Sequence, residues 1–499
     1  MFDDFKFWFQ TLFIKRTLPP PLQRMQLKPK DSPANPLMIQ FFTWDCLHPE
    51  MSWWRHLEEE IPKLAEQGYT QIWLPPPNKA AELDGRGYDA YDLWDLGEFM
   101  HKGEIRTRWG TRDELLSACR TAREHGIDVL IDAVLNHKLG ADRFETFSAV
   151  PSNPINRLRD DGPARLVDGW TAFDYPTRGN KYSSFHWRQE HFSGVDWDQK
   201  TRTKGVYRIG WSRNVDTELG NYDFLLGVDI DHTHPDVQED LLKWGSWVLE
   251  TTGAGGKFLL SWLQNVRARS GNNRLFCVDK VIPYLRYFRG EVSAPCTPFI
   301  HLSSMCLCTG NFHSASRQSD SFDLRQIFKK TIVGLQPGDA VTFVDNHESN
   351  NKADLHPQVI GQSLESWVSY ALVLLRASGH PCVFYGDLYP NQEGYSERTA
   401  NNLRILVEAR KYYAYGPQQD YFTDKNCIGW VRKGDRSHPG CAVILSNKSG
   451  KCRLTFKCQA NAGSSYRSLM TQGEKVVVDV QGWGTFHCFA NTAQVWVKA

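Results

Sequence analysis

Short unbroken apolar runs alternate with helical periodicity along most of this chain. MIQFF (38–42) precedes a helical pattern over 52–67, QIWLPPP (71–77) precedes one over 111–126, and IDVLIDAVLNH spans 127–137. Runs of this kind are what strands buried on both faces look like, and the intervening pattern is that of amphipathic helices. The order predicts βα units around a parallel sheet.

From Lys138 to about Thr233 the alternation stops, and Gly, Asp, Asn, Trp and Tyr dominate. A structureless loop of that length is uncommon, so an inserted irregular β-rich domain is predicted. Alternation resumes with helical patterns over 235–250 and 258–270, the run LFCV (275–278), helices over 321–333 and 361–379, AVTFVDNH (340–347) and PCVFYGD (381–387). The pattern predicts an α/β fold, a (β/α)₈ barrel interrupted after its third strand. After Gly416, CAVILSN, CRLTFKC and KVVVDV predict a C-terminal antiparallel β domain. The expected divisions are an N-terminal tail (1–36), a first barrel part (37–137), the insert (138–233), a second barrel part (234–415) and the β domain (416–499).

Composition narrows the function. At 499 residues, 41% apolar and 23% charged, the chain suits a soluble globular protein, and its net charge of +1 offers nothing to nucleic acid. The 12 cysteines are irregularly spaced without a CxxC pair and are expected to be reduced. The start carries Asp3, Asp4 and Lys6 before its apolar residues, so no secretory signal is expected and a cytoplasmic location follows. Phe5, Phe7, Trp8, Phe9 and Phe13 leave room for weak membrane-surface contact, but no stretch suits stable membrane insertion. A monomer is the default expectation.

One stretch suggests a phosphate cradle: TTGAGGKFLLSWLQ (251–264). Phe258 stands where a magnesium-binding hydroxyl would follow Lys257, which argues against a nucleotide loop.

Three strand-end stretches, IDAVLNHK, GNYDFLLGVDIDHTHPDV and VTFVDNHE, resemble the α-amylases of glycoside hydrolase family 13, particularly the bacterial liquefying type and intracellular fungal relatives. MIQFFTW, IWLPPPNK, GYDAYDLWDLGEF and PCVFYGD extend the similarity over about residues 37–499. The resemblance implies a calcium site at Asn136, Asp223 and Asp229, whose oxygen donors suit that hard cation. It implies that Tyr88 stacks on a glucose ring, that His137 and His347 bond sugar hydroxyls, and that Trp44 and Gln40 line the same cleft. Glu348 stands at the position of a transition-state-stabilising aspartate. Ser193, Ser212 and Thr233 replace aspartates of a second metal cluster found in some liquefying enzymes.

The catalytic carboxylates of that family are missing. Retaining hydrolysis uses a nucleophile and an acid/base about 5–5.5 Å apart. The family carries the nucleophile in GFRLDAxKH on strand four and the acid/base in a GEYW-like segment on strand five. Here Gly256 runs directly into Lys257, and LFCV runs into Asp279, Lys280 and Val281. Asp279 is better explained as a solvated carboxylate than as a substitute acid. SNNKADLHPQ is extra after Glu348, and TPFIHLSSMCLCTGNFH replaces a more regular sixth-strand region. A fourth strand drawn from Thr251 to Gly256 would bring no bulky side chain to the barrel interior, which predicts a strained or open barrel there. The expected function is that of an α-amylase-like hydrolase of α-1,4-glucan, its gaps arising from misplaced splice sites. The alternatives are a catalytically dead α-glucan-binding or regulatory pseudo-enzyme, and a transglycosylase, which needs the same carboxylates.

Overall fold

The computed structural model describes residues 35–153, 159–209, 226–254, 279–280, 299–300, 319–329, 331–335, 337, 340–347, 366–458 and 463–499. The first barrel segment forms β1 (Met38–Gln40), α1 (Trp53–Gln67), β2 (Gln71–Leu74), the short pair β3 (Lys79–Ala80) and β4 (Ala90–Asp92), α2 (Arg112–Glu124) and β5 (Asp128–Ile131). Local chemistry sets these ends. Ser52 accepts the Arg55 N–H to start α1, and Thr111 with Glu114 forms a reciprocal capping box on α2. Gly68 ends α1 in the left-handed region at φ 96°.

The insert contains β6 (His137–Lys138), β7 (Arg143–Ser152), β8 (Arg165–Ala172), β9 (Phe192–Asp198), β10 (Thr203–Arg208) and β11 (Val228–Ile230). These pair antiparallel in the order β6-β11-β9-β10-β7-β8. The chain then returns to the barrel through α3 (Pro235–Thr252), β12 (Asp279–Lys280), β13 (Phe299–Ile300), α4 (Ile332–Leu335), β14 (Ala340–Thr342), α5 (Ser366–Leu374), β15 (His380–Phe384), α6 (Tyr385–Leu388) and α7 (Glu397–Tyr412).

Among the described residues the barrel strands form a parallel sheet ordered β12-β13-β14-β15-β1-β2-β5. Within it, Ile39 of β1 lies between Val383 and Ile72 in register, all three fully buried. Strands this apolar on both faces need helices outside, and α1, α2, α3, α5 and α7 supply buried leucines, valines and tryptophans to that layer. The α/β barrel class with a β-rich insert and a C-terminal antiparallel sheet is therefore the observed architecture.

Two expectations need correction. Thr251 and Thr252 do not enter a fourth strand: they are the last residues of α3, and Gly253 caps it at φ 66° with its N–H on the Leu249 carbonyl at 2.7 Å. The pattern over 321–333 does not make one helix. It gives 3₁₀ turns at Ser319–Ser321 and Leu324–Gln326 before α4, because the segment is tied to the β domain. Leu324 N–H bonds the Lys425 carbonyl at 2.7 Å, and the amides of Asn426 and Asn447 bond the Asp320 and Phe322 carbonyls. The N-terminal tail, the helix expected over 258–270, LFCV and the predicted barrel opening lie at least partly outside the described residues.

The C-terminal part forms β16 (Gln418–Tyr421), β17 (Cys427–Arg432), β18 (Cys441–Ser446), β19 (Cys452–Lys457), β20 (Ser465–Ser468), β21 (Lys475–Val477), β22 (Trp483–Cys488) and β23 (Ala493–Lys498). One sheet runs β16-β17-β18-β23-β20-β21, and β19 pairs with β22. Phe456, Phe486 and Trp496 fill the space between them. The described cysteines are free and buried, and no described helix is long and apolar enough to cross a membrane.

Candidate functional site

Parallel strands place the residues that follow them at one end of the barrel, and four candidates converge there. Gln40 ends β1, Trp44 lies on the loop beyond it, Tyr88 precedes β4, and His347 follows β14. Gln40 Nε2 donates to His347 Nδ1 at 2.8 Å, which leaves the ring proton on Nε2. His347 Nε2 in turn meets the Tyr88 hydroxyl at 3.0 Å, and that hydroxyl donates to Asp132 Oδ2 at 2.8 Å. Trp73 Nε1 reaches the same carboxylate oxygen at 3.3 Å.

The rings are aligned as well. Trp44, Tyr88 and His347 lie within 10° of parallel, with centroids 5.4–5.8 Å apart. His347 is buried, whereas Trp44 and Tyr88 are half-buried. Arg86 braces the group, its guanidinium 5.0 Å from the Trp44 ring and its Nε on the Trp44 carbonyl at 2.8 Å. From the loop after β15, Glu393 accepts the Thr43 hydroxyl and the N–H groups of Trp44 and Asp45. The result is a preset aromatic wall edged by hydrogen-bonding groups, the chemistry that recognises a sugar's apolar face and its hydroxyl rim.

His137 sits behind this wall. Its Nε2 meets the Tyr88 carbonyl at 2.8 Å, and burial is the main force holding its pKa below the usual imidazole value. Asn136 and Asp229 are drawn together by the β6–β11 pairing: Asp229 faces His137, and Ile230 N–H bonds the Asn136 carbonyl at 3.0 Å. The Asp229 carboxylate accepts the Ser193 hydroxyl. Hard oxygen donors at this junction fit calcium chemistry. Asp223 and Glu348 lie outside the described residues, as do Ser212 and the missing-segment region 255–278.

Sequence reasoning overlooked Asp132, Arg86 and Glu393. Asp132 carried a usable signal, a carboxylate at the C-terminal end of a barrel strand in IDAVLNH. Nothing local marked Glu393, whose partners are about 350 positions away, as the separation of 350 from Thr43 records. Also unforeseen is a buried ionic cluster beneath the insert. Arg178 Nε meets Asp92 Oδ2 at 2.6 Å, and Lys138 donates to the Tyr91 carbonyl at 2.6 Å with its pKa pushed down to about 8 by burial. His191, His234 and Asp236 also gather within 4.8 Å. Both rings accept backbone N–H groups on Nδ1, so in their neutral forms the Nε2 atoms carry protons and are not arranged for a cation.

Comparison with known proteins agrees with this geometry. The model of the α-amylase catalytic domain matches residues 54–252. The glucan 1,4-alpha-maltohexaosidase of Bacillus sp. (strain 707) is 36% identical over 493 residues, covering 93% of each chain. The alpha-amylase of Bacillus licheniformis is 36% identical, covering 93% of this chain and 94% of its own. The cytoplasmic alpha-amylase of Escherichia coli (strain K12) is 33% identical, covering 93% and 99%. Among solved structures, the α-amylase of Geobacillus thermoleovorans complexed with acarbose superimposes with a TM-score of 0.60 at 14% identity, covering 93% and 98%.

Proposed function

Because the chain belongs to the α-amylase family of glycoside hydrolases, we propose that its barrel cleft binds α-1,4-glucan, as in starch and glycogen, and that the chain as written does not cleave it. The observation carrying the first half is the parallel array of Trp44, Tyr88 and His347, held by Gln40 and Asp132, with Trp44 and Tyr88 partly exposed. Flat rings receive the C–H faces of glucose, and the rim offers hydrogen bonds to its hydroxyls. A relative named for 1,4-glucan and a neighbour solved with maltohexaose support this substrate class.

The second half rests on the missing carboxylates. No Asp or Glu occurs between Glu250 and Asp279, the span that in the family brings the nucleophile and then the acid/base. Double displacement without a nucleophile has no covalent intermediate. Asn136 and Asp229, with Asp223, would hold a calcium ion that ties the insert to the barrel. The reading also has the protein act in the cytoplasm, which reduced cysteines fit.

Purified protein is to be titrated with glycogen and assayed for new reducing ends. Binding without turnover is expected. Turnover comparable to an intact amylase overturns the second half, and absence of binding overturns the first. A second reading, an active endo-hydrolase whose true transcript carries the absent segments, is favoured by flanks that stay in order on both sides of each gap. Sequencing the transcript across Gly256 to Asp279 decides it.

A further inference from the structure

We propose that the outer face of the β19–β22 pair is a second carbohydrate site, selective for α-glucan chains bearing phosphate monoesters; it rests on the reading that the protein engages α-glucan. The strand register builds the face. Arg453 lies opposite His487, Thr455 opposite Thr485 and Lys457 opposite Trp483, while β21 adds exposed Lys475 alongside. Arg453, Thr455, Lys475, Trp483, Thr485 and His487, with Lys451, line an open groove of about 650 Å³, and Lys457 stands beside Trp483 at its margin.

Charge decides what suits it. Among the described residues Lys451, Arg453, Lys457 and Lys475 have no carboxylate partner within ion-pair distance. Two acids lie nearby, Asp479 in the lining and Glu474 beside it, and each is committed to other groups. Asp479 Oδ1 accepts the N–H groups of Gln481 and Trp483 in its own turn, and Glu474 meets His487 Nε2 at 2.9 Å. A chain with a net charge of +1 thus sets three cations, Lys451, Arg453 and Lys475, in one groove against the single lining carboxylate of Asp479, with Lys457 at the margin. Cations that share a groove without ion-pair partners repel, and a dianionic group relieves that repulsion through charge-assisted hydrogen bonds.

An anion alone does not explain Trp483. This indole is 36% exposed, stands beside Lys457 with Nζ 5.9 Å from the ring, and is followed across the face by the Thr455 and Thr485 hydroxyls 3.0 Å apart. An exposed ring next to hydroxyls and cations matches a sugar carrying a phosphate, with the ring on the C–H face and the cations on the ester. Nucleic acid would use the same cations. It is disfavoured because the face presents a single exposed ring and the remaining cleft is built for sugar.

The test is affinity electrophoresis of the full chain in gels containing phosphate-bearing starch or the same starch after phosphatase treatment. Apparent affinity is expected to be about tenfold higher for the phosphorylated form and to fall with salt. Trp483→Ala and Lys475→Glu should each remove the excess, with Trp483→Phe retaining most of it as a control for folding. Equal retardation in the two gels, or an excess that survives both variants, overturns the proposal. Tighter binding of single-stranded oligonucleotide or anionic vesicles than of phosphorylated starch overturns it too. Retardation by neutral starch that Trp44→Ala weakens reports the cleft separately, so loss of the phosphate preference alone leaves the cleft reading standing. A preference without any neutral retardation removes the cleft reading instead.

Discussion

The Tyr88 hydroxyl donates to Asp132 at 2.8 Å, closing a chain of hydrogen bonds that runs from Gln40 through His347 to Tyr88 and on to that carboxylate. Each link sets the proton position of the next. The half-buried ring of Tyr88 is thereby held by groups from β1, the segment after β5 and the segment after β14.

Replacing Tyr88 by Phe keeps the ring and removes the link. Unfolding free energy should drop by about 1–2 kcal/mol, because the buried His347 and the Asp132 carboxylate each lose a partner. Urea denaturation measures this, and an unchanged midpoint would show that the chain of bonds contributes nothing to stability.

Trp44→Ala should leave the fold intact and weaken glycogen binding by about tenfold, since it removes one ring of the partly exposed aromatic array at little cost to the core. Titration calorimetry at constant salt provides the comparison. Affinity equal to that of the unaltered chain would move the glucan site elsewhere.

The buried Arg178–Asp92 pair joins the insert to β4, with both side chains almost wholly enclosed. Asp92→Asn strands the guanidinium charge beneath the insert and should cost about 3–5 kcal/mol. Thermal unfolding should show the loss, and limited proteolysis should cut the insert first. Replacing both partners by apolar residues should recover much of the stability, as expected when the penalty comes from an unpaired charge.

Gly253→Ala tests the end of α3. At φ 66° an L side chain is strained, and its Cβ would run into the Arg123 guanidinium. A loss of about 1–2 kcal/mol in thermal unfolding is expected. A neutral result would mean that the helix ends elsewhere.

Asp387 gives a pH signature. Burial pushes its carboxyl up to about 6, and the buried Asp345 carboxyl is raised with it. A carboxyl raised in the folded state contributes stability that is full below the unfolded value and is lost as pH rises through the folded one. From pH 4 to pH 7 the unaltered chain should therefore lose stability relative to Asp387→Asn, by up to about 3 kcal/mol. Parallel urea curves at the two pH values test the sign. A relative gain would contradict it.

The barrel's first half was legible because its information is local. Ser52 and Thr111 mark helix starts, and the unbroken runs of β1, β2 and β5 can be satisfied only by burial on both faces. The pattern over 321–333 misled because its partners, Lys425, Asn426 and Asn447, lie about a hundred positions away and outbid helical hydrogen bonds, as the separation of 106 between Asp320 and Asn426 illustrates. The helix ending expected near Glu250 runs on to Thr252 instead, because Gly253 permits the left-handed turn that closes it.

By itself, then, the sequence determined the alternation of strands and helices, the family, the aromatic and histidine candidates, and the absence of acidic residues between Glu250 and Asp279. Periodicity and side-chain type act over a few residues, so a linear pattern carries them. The tertiary structure alone decided that Gln40 and His347, separated by 307 positions, share a hydrogen bond, that Asp132 anchors Tyr88, and that Lys451, Arg453 and Lys475 share a groove with Trp483. These relations depend on which strands become neighbours and in what register, and that is settled by burying the whole apolar surface at once.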